Sequence, residues 1–472
     1  MQNTKTNNLL SGNIFKSLLA LAVPIIFANI LQTAYQITDT FWVGRLGAEA
    51  VAAVSLSFPL LFLVISFGGG LAMAGTILAA QYKGQNNQKM IDFISGQTMS
   101  IVVMVSIVLS LLGYFISPLL VRIMGAAPEV MPQAISYLQI SFLGMVFVFG
   151  TAVFQSLLRG VGDVKTPMYI ILSTVILNLF LDPLFILGFG PIPGFGVTGA
   201  AIATIGTQAI ATIIGLFILF AGKHDIHLRL KNLKPSKNTI LKIFKIGLPA
   251  SIEQSMRAFG MAVMTFLVAS FGTTVLAAYG IGGRIFSFII IPALGLSMAT
   301  STLVSQNIGA NQMSRAEKIT KQSAWFGFWS LSLVGLIMFF LAKPLSGIFV
   351  PGELEVIHLS ALFIKIIAFT FGLMAVQQIL TGTLRGAGDT MSAMILSIVS
   401  FWVLQFPLAL ILSKFTDLAE FGLWLAFPIA NILSTIITIW WYRRGKWKNK
   451  KITEEDKLTE KTFEETMIEE AN

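Results

Sequence analysis

The chain contains the same pattern twice. A shift of 225 residues lays Pro24 on Pro249, Gly47 on Gly272, Ala52-Ala53 on Ala277-Ala278, Gln81 on Gln306 and Gly84 on Gly309. With one residue of drift, Leu158-Arg159-Gly160-Val161-Gly162-Asp163 falls on Leu384-Arg385-Gly386-Ala387-Gly388-Asp389. Proline fixes φ and glycine allows backbone angles closed to other residues, so halves that share them at matched positions should fold alike. In a hydrophobic chain a period this long describes two similar bundles, the plan of carriers that rock one half against the other. Differences between the copies are then the place to look for chemistry.

Hydrophobic residues make up 55% of the 472 and charged residues 11%, with a mean hydropathy of +0.80. Stretches of about 20 apolar residues, enough to cross the hydrocarbon core of a bilayer, recur along the whole chain. Backbone polar groups in lipid must bond internally, and no short alternating strands of a barrel occur, so the stretches are expected to be helices. Twelve spans are expected, at 17–43, 50–79, 92–118, 134–158, 166–189, 197–221, 246–270, 274–304, 322–342, 358–383, 391–413 and 421–442. The fold class is an all-α polytopic membrane protein, with two six-helix lobes related by an internal parallel repeat. Six spans per half bring both halves into the membrane in the same sense.

Loop charges set the orientation. Loops after odd-numbered spans hold four Lys/Arg (Arg45, Arg122, Lys343, Lys414), while the termini and the remaining loops hold 25. This bias places both termini in the cytoplasm, with the chain in the cytoplasmic membrane. It also accounts for the net charge of +10 without nucleic acid as a partner. The expected order is a cytoplasmic N-terminus (1–16), an N-lobe (17–221), a basic linker lying on lipid headgroups (222–245), a C-lobe (246–442) and a cytoplasmic tail (443–472). The tail is basic from Arg443 to Lys451 and acidic from Glu454 to Glu470, and reads as solvated and disordered. No removable signal peptide is expected. The absence of cysteine excludes disulfides and thiolate chemistry, and His224, His227 and His358 all fall in or beside loops. With no buried nucleophile–base pair or metal cluster, a membrane-embedded enzyme is disfavoured and no cofactor is expected. The chain is taken to act as a monomer on small organic molecules.

Charges inside a membrane are costly and so point to function. Here the acids are Asp39, Asp182 and Glu253, and the bases are Arg257, Arg284 and Lys365. Asp39 closes a polar stripe, Asn29, Gln32, Gln36 and Asp39, with Tyr35 beside it, whose steps of three and four residues favour one helix face. Asp182 follows Asn178 by one turn and precedes Pro183, which frees a backbone carbonyl. Carboxylate, amide and carbonyl oxygens suit a hard cation, and a buried carboxylate suits a proton; both readings stand. The second copy lacks these acids: Met264 falls at the place of Asp39. Glu253 and Arg257 are spaced for an intrahelical ion pair and are expected to line a central cleft, with Arg284 a further substrate-facing candidate. Lys365 is expected to snorkel outward. Gly68-Gly69-Gly70 lies within an apolar span and is read as close packing, not a phosphate loop. The paired Arg-Gly-x-Gly-Asp segments read as tight turns with a helix cap.

The segment Asp39-Thr40-Phe41-Trp42-Val43-Gly44-Arg45-Leu46-Gly47, the paired Leu-Arg-Gly-x-Gly-Asp turns and Asn178…Leu181-Asp182-Pro183 together resemble the multidrug and toxic compound extrusion (MATE) transporters, over about residues 14–442. The resemblance implies a cation-coupled antiporter that uses H+ or Na+ to expel organic, often cationic, compounds. It implies that Asp39, Asn178, Asp182 and Thr204 hold the ion, and that Pro24 is the point where the first helix bends. Met374 stands where some members carry an acid, which argues against a second ion site in the C-lobe. A flippase for lipid-linked precursors, from the same superfamily, is the alternative, kept open by Arg257, Arg284 and Lys365.

Overall fold

The structure, a computed structural model, describes residues 9–450 with Ile452 and Thr453; the first eight residues and the acidic run of the tail lie outside it. The first half comprises α1 (Ile14–Gly44), α2 (Ala48–Gly84), α3 (Gln88–Ile123), α4 (Met131–Leu143), α5 (Met145–Val161), α6 (Lys165–Ile186) and α7 (Val197–Ala221). The second comprises α8 (Lys237–Ala269), α9 (Thr273–Gly309), α10 (Met313–Phe349), α11 (Leu354–Ala368), α12 (Phe371–Gly386), α13 (Thr390–Ile398), α14 (Phe406–Lys414) and α15 (Ala419–Arg443). Between α6 and α7, β1 (Gly188–Phe189) pairs antiparallel with β2 (Ile192–Pro193). Among the described residues, nine helices, counting Thr390–Lys414 as one, are long and apolar enough to cross a membrane, and two bent pairs raise the number to eleven. The twelfth expected span lies in α8, where Glu253 and Arg257 interrupt the apolar run.

The repeat reappears in the elements. The first and last residues of α2 and α9, Ala48 and Thr273, Gly84 and Gly309, obey the same 225-residue shift. Gly47 and Gly272, just before these helices, have φ of 108° and 100°, where a side chain would be strained.

Three spans depart from the expected continuous helices. Span 4 (134–158) is broken at Gly144, where α4 and α5 meet at 46°; span 10 (358–383) is broken at Phe369-Thr370, where α11 and α12 meet at 56°. Neither break contains a proline. At the second, the Thr370 hydroxyl donates to the Ile367 carbonyl (2.9 Å) and accepts from Asn431 (3.1 Å), side-chain bonding that competes with the helix ladder. Span 11 carries a π-helical segment, Val399–Gln405, just before Pro407, which has no N–H to offer. The linker is also shorter than expected: α8 starts at Lys237, so Lys237, Lys242 and Lys245 lie on a helix.

The chain divides into two compact units. Of the described residues, one takes Phe27 to Ser251 with Ile452 and Thr453; the other takes 9–26 and 252–450. The divisions fall inside α1 and α8, each two residues after a matched proline, Pro24 or Pro249, through which both helices continue unbroken. In the Phe27–Ser251 unit, Leu71, Ile77, Tyr82, Phe149 and Phe154 form part of the core. Within the triple-glycine run, a Cβ on Gly70 would lie 2.2 Å from the Ser251 backbone nitrogen, a contact only glycine permits. In the other unit Tyr279, Phe363, Trp424 and Phe427 pack ring against ring, with Phe363 and Trp424 centred 4.6 Å apart.

Both Arg-Gly-x-Gly-Asp turns precede a helix, but among the described residues only the first aspartate bonds amides of the helix that follows. Asp163 accepts from the Lys165 and Thr166 amides at the start of α6 (3.2 and 3.1 Å), and its second oxygen lies 2.7 Å from His224 Nδ1. Asp389 stands 2.8 Å from Lys450 Nζ. Each aspartate thus ties down the segment that follows the last helix of its half. Gln97 secures the first of these further, donating to the Asn232 and Lys234 carbonyls (2.8 and 2.7 Å) and accepting from the Ser236 amide (2.7 Å).

Candidate functional site

Three helices bring polar groups to the same end of the Phe27–Ser251 unit. Asp39 lies five residues before the end of α1, Asp182 four before the end of α6, and Thr204 in the third turn of α7. The β1–β2 hairpin joins α6 to α7 here, so all three lie within about 11 Å of their helix ends at 1.5 Å per residue. Asn178 and Asp182, one turn apart, are both 0% exposed. The Asn178 amide donates to Asp182 Oδ1 (2.7 Å), and the Thr204 hydroxyl donates to Asp39 Oδ2 (3.2 Å). The Asp39 and Asp182 carboxyls lie within electrostatic reach of one another. Thr207 spends its proton on the Thr204 carbonyl (2.8 Å), so the Tyr35 hydroxyl, 2.7 Å away, donates to Thr207.

What is missing is donors. Among the described residues, Asp39 Oδ1, Asp182 Oδ2 and Asn178 Oδ1 are buried without a hydrogen-bond partner. Burying an unpaired carboxylate is expensive, and two side by side repel as well. One proton shared by the carboxyls, or one small hard cation among the oxygens, removes both costs. Pro183 adds to the oxygen supply, since it leaves the Leu179 carbonyl without its helical donor. Arg45 does not neutralise Asp39: its guanidinium lies over the Phe41 and Trp42 rings at 4.9 and 4.8 Å.

The remaining sequence candidates are dispersed. Tyr35 is buried beside Asp39, while Gln36, one residue and about 100° round the helix, is exposed, as is Gln32. Glu253 is buried in the other unit, and its main partner is not Arg257. The Arg385 guanidinium bonds both carboxylate oxygens, through Nε to Oε2 at 3.1 Å and through Nη2 to Oε1, and Ser397 donates to Oε1 at 2.8 Å. Arg257 stands off at 3.4 Å. Arg385 was not among the sequence candidates because span 10 was expected to end before it, whereas α12 runs to Gly386; Ser397, an uncharged residue within span 11, was not singled out either. Arg284 is exposed, and Lys365 lies 5.5 Å from the centre of the Phe339 ring. Thr207 and Tyr137 also escaped the sequence reading. Tyr137, on α4, lies within electrostatic reach of both Asp39 and Asp182. The spacing Gln133, Tyr137, Ser141, a polar residue every fourth position, was the available signal. A cavity of about 590 Å³ opens at the same end of the unit, lined by Leu46, Glu49, Gln133, Phe195 and Thr198 among others.

The MatE family profile matches residues 24–184 and 249–411, segments that begin 225 residues apart. A "Probable multidrug resistance protein YoeA" of Bacillus subtilis (strain 168) is 30% identical, over 93% of this chain and 96% of its own length. A protein of Shewanella oneidensis named "FAD transporter" is 27% identical, over 91% and 94%. Among solved structures, a MATE protein in complex with MaL6 superposes with a TM-score of 0.88 at 25% identity, over 94% of this chain and 98% of that one. A MOP superfamily transporter from Pyrococcus furiosus Vc1 (DSM3638), described as having a binding pocket of reverse polarity, gives a TM-score of 0.87 at 25% identity, over 94% and 98%.

Proposed function

The chain belongs to the MatE family, and on that premise we propose that it is a cation-coupled antiporter that expels small organic compounds across the cytoplasmic membrane by alternating access. Its working parts are an N-lobe (17–221) and a C-lobe (246–442), with both termini in the cytoplasm. The coupling ion, H+ or Na+, binds at Asp39, Asn178, Asp182 and Thr204. The observation that carries the reading is the trio of buried oxygens on Asp39, Asp182 and Asn178 that have no donor. A site that lacks one positive charge, supplied by residues from α1 and α6, is what an ion must fill and leave during each cycle. Ion binding drives transport only through its different affinity for two states of the protein. Pro24 gives α1 a place to bend, because it lacks the N–H that would hold the preceding turn.

Full-length protein in proteoliposomes, loaded with substrate and given a pH or Na+ gradient, tests the proposal. Efflux should follow one of the two gradients and stop in Asp39→Asn and Asp182→Asn, which keep shape and lose charge. Gradient-driven efflux at the wild-type rate in both variants would overturn it.

A further inference from the structure

Arg284 lies in the fourth turn of α9 (Thr273–Gly309), eleven residues, or about 17 Å, from its first residue. It is exposed, and among the described residues it has no hydrogen bond, ion pair or ring contact. A guanidinium at that depth must face water or a ligand, since its side chain cannot span the distance to the headgroups. The face it shares supports this. The exposed positions of α9 at helical spacing are Thr273, Ala277, Gly280, Arg284 and Ser287. Faces turned to lipid in this chain read otherwise: on α3 they are Met104, Val108, Leu111, Phe115 and Leu119, all exposed and all bulky. Around Arg284 there is also room, because a Cβ on Gly280 or Gly283 would meet nothing within 4 Å. Phe288, one turn on, is 54% exposed and offers a ring to an aromatic ligand.

Charge in the same unit is unbalanced in one direction. Glu253 is the acid among its membrane-spanning candidates, and Arg385 and Ser397 already occupy its oxygens. Arg257 is therefore left with a single long contact. It lies twelve residues from the end of α8, so across the short turn to α9 it sits at nearly the depth of Arg284.

We propose that Arg284 is an anion contact, and that the compounds this protein carries include aromatic molecules bearing a carboxylate or a phosphate. Arg257 adds positive potential at the same depth. This narrows the substrate class within the transport reading and rests on it; the cationic compounds implied by the resemblance do not need these two groups.

The test is equilibrium binding to the purified full-length protein in neutral detergent, followed by fluorescence anisotropy. Carboxyfluorescein presents a carboxylate, trinitrophenyl-AMP a phosphate, and ethidium a cation. At least one anionic probe should bind more tightly than ethidium. Arg284→Gln should weaken it about tenfold or more, Arg284→Lys less, in protein that keeps its gel-filtration profile. Phosphatidylglycerol that displaces the probe from wild type, with the same loss in Arg284→Gln, would support the contact and identify a lipid phosphate as its source. Tighter binding of ethidium, no binding of either anion, or anion binding unchanged in Arg284→Gln would overturn the inference. The two readings separate cleanly: anion binding that survives in Asp182→Asn while efflux is absent from wild type rejects the antiporter and leaves Arg284 in place.

Discussion

Arg385 bonds both carboxylate oxygens of Glu253 from 132 residues away in the chain. The intrahelical neighbour suggested by sequence spacing, Arg257, makes the weaker contact. Breaking a buried pair by removing one partner costs about 3–5 kcal/mol, because the other charge stays behind without compensation. Arg385→Gln and Glu253→Gln should therefore lower the thermal midpoint in detergent much more than Arg257→Gln. Combining Glu253→Gln with Arg257→Gln should not restore it, whereas Glu253→Gln with Arg385→Gln should recover part of the loss. An Arg257→Gln midpoint as low as that of Arg385→Gln would contradict the assignment.

Asp163 combines two tasks, the first turn of α6 and the link to His224. Loss of a helix-capping side chain costs about 1 kcal/mol. Asp163→Asn should keep the cap and loosen the linker; Asp163→Ala should lose both. Limited proteolysis between residues 222 and 236 should be faster in both variants, and the thermal midpoint lower in the alanine variant. Equal cleavage of Asp163→Asn and wild type would show that the His224 contact does not hold the linker.

The 25-to-4 division of loop charges is the ground on which both termini are proposed to be cytoplasmic. A cysteine at Lys234, in a chain that has none, should resist an impermeant maleimide in intact cells and react after lysis. Rapid labelling in intact cells would reverse the topology.

Movement of α1 is expected to follow the ion. Spin labels at residue 31 and on α6 should show a distance distribution that changes with acidification or with Na+, and less so in Asp39→Asn/Asp182→Asn. A distribution insensitive to both ions, in protein that transports, would remove α1 from the mechanism.

The fold was legible because membrane helices announce themselves by length and apolarity, and because matched residues such as Gly47 and Gly272 mark the same turn twice. Asp39, Asn178 and Asp182 were legible as intramembrane polar groups, and their meeting with Thr204 through a family pattern. The breaks at Gly144 and Thr370 were not, since no proline marks them and side-chain bonding from elsewhere stabilises the second. Arg385 was hidden for a different reason. A charge near the expected end of a span reads as a loop residue until a distant partner draws it inward, and nothing local to Arg385 points to Glu253.

If the Asp39–Asp182 pair holds the coupling ion, its binding can be measured without transport. Purified protein can be assayed for proton uptake on a downward pH step, using a pH-indicator dye, and for 22Na+ retention by equilibrium dialysis. Wild type should take up one more proton, or retain one more Na+, than Asp39→Asn/Asp182→Asn does under the same conditions. Equal uptake of protons and equal retention of Na+ by the two proteins would place the coupling site elsewhere.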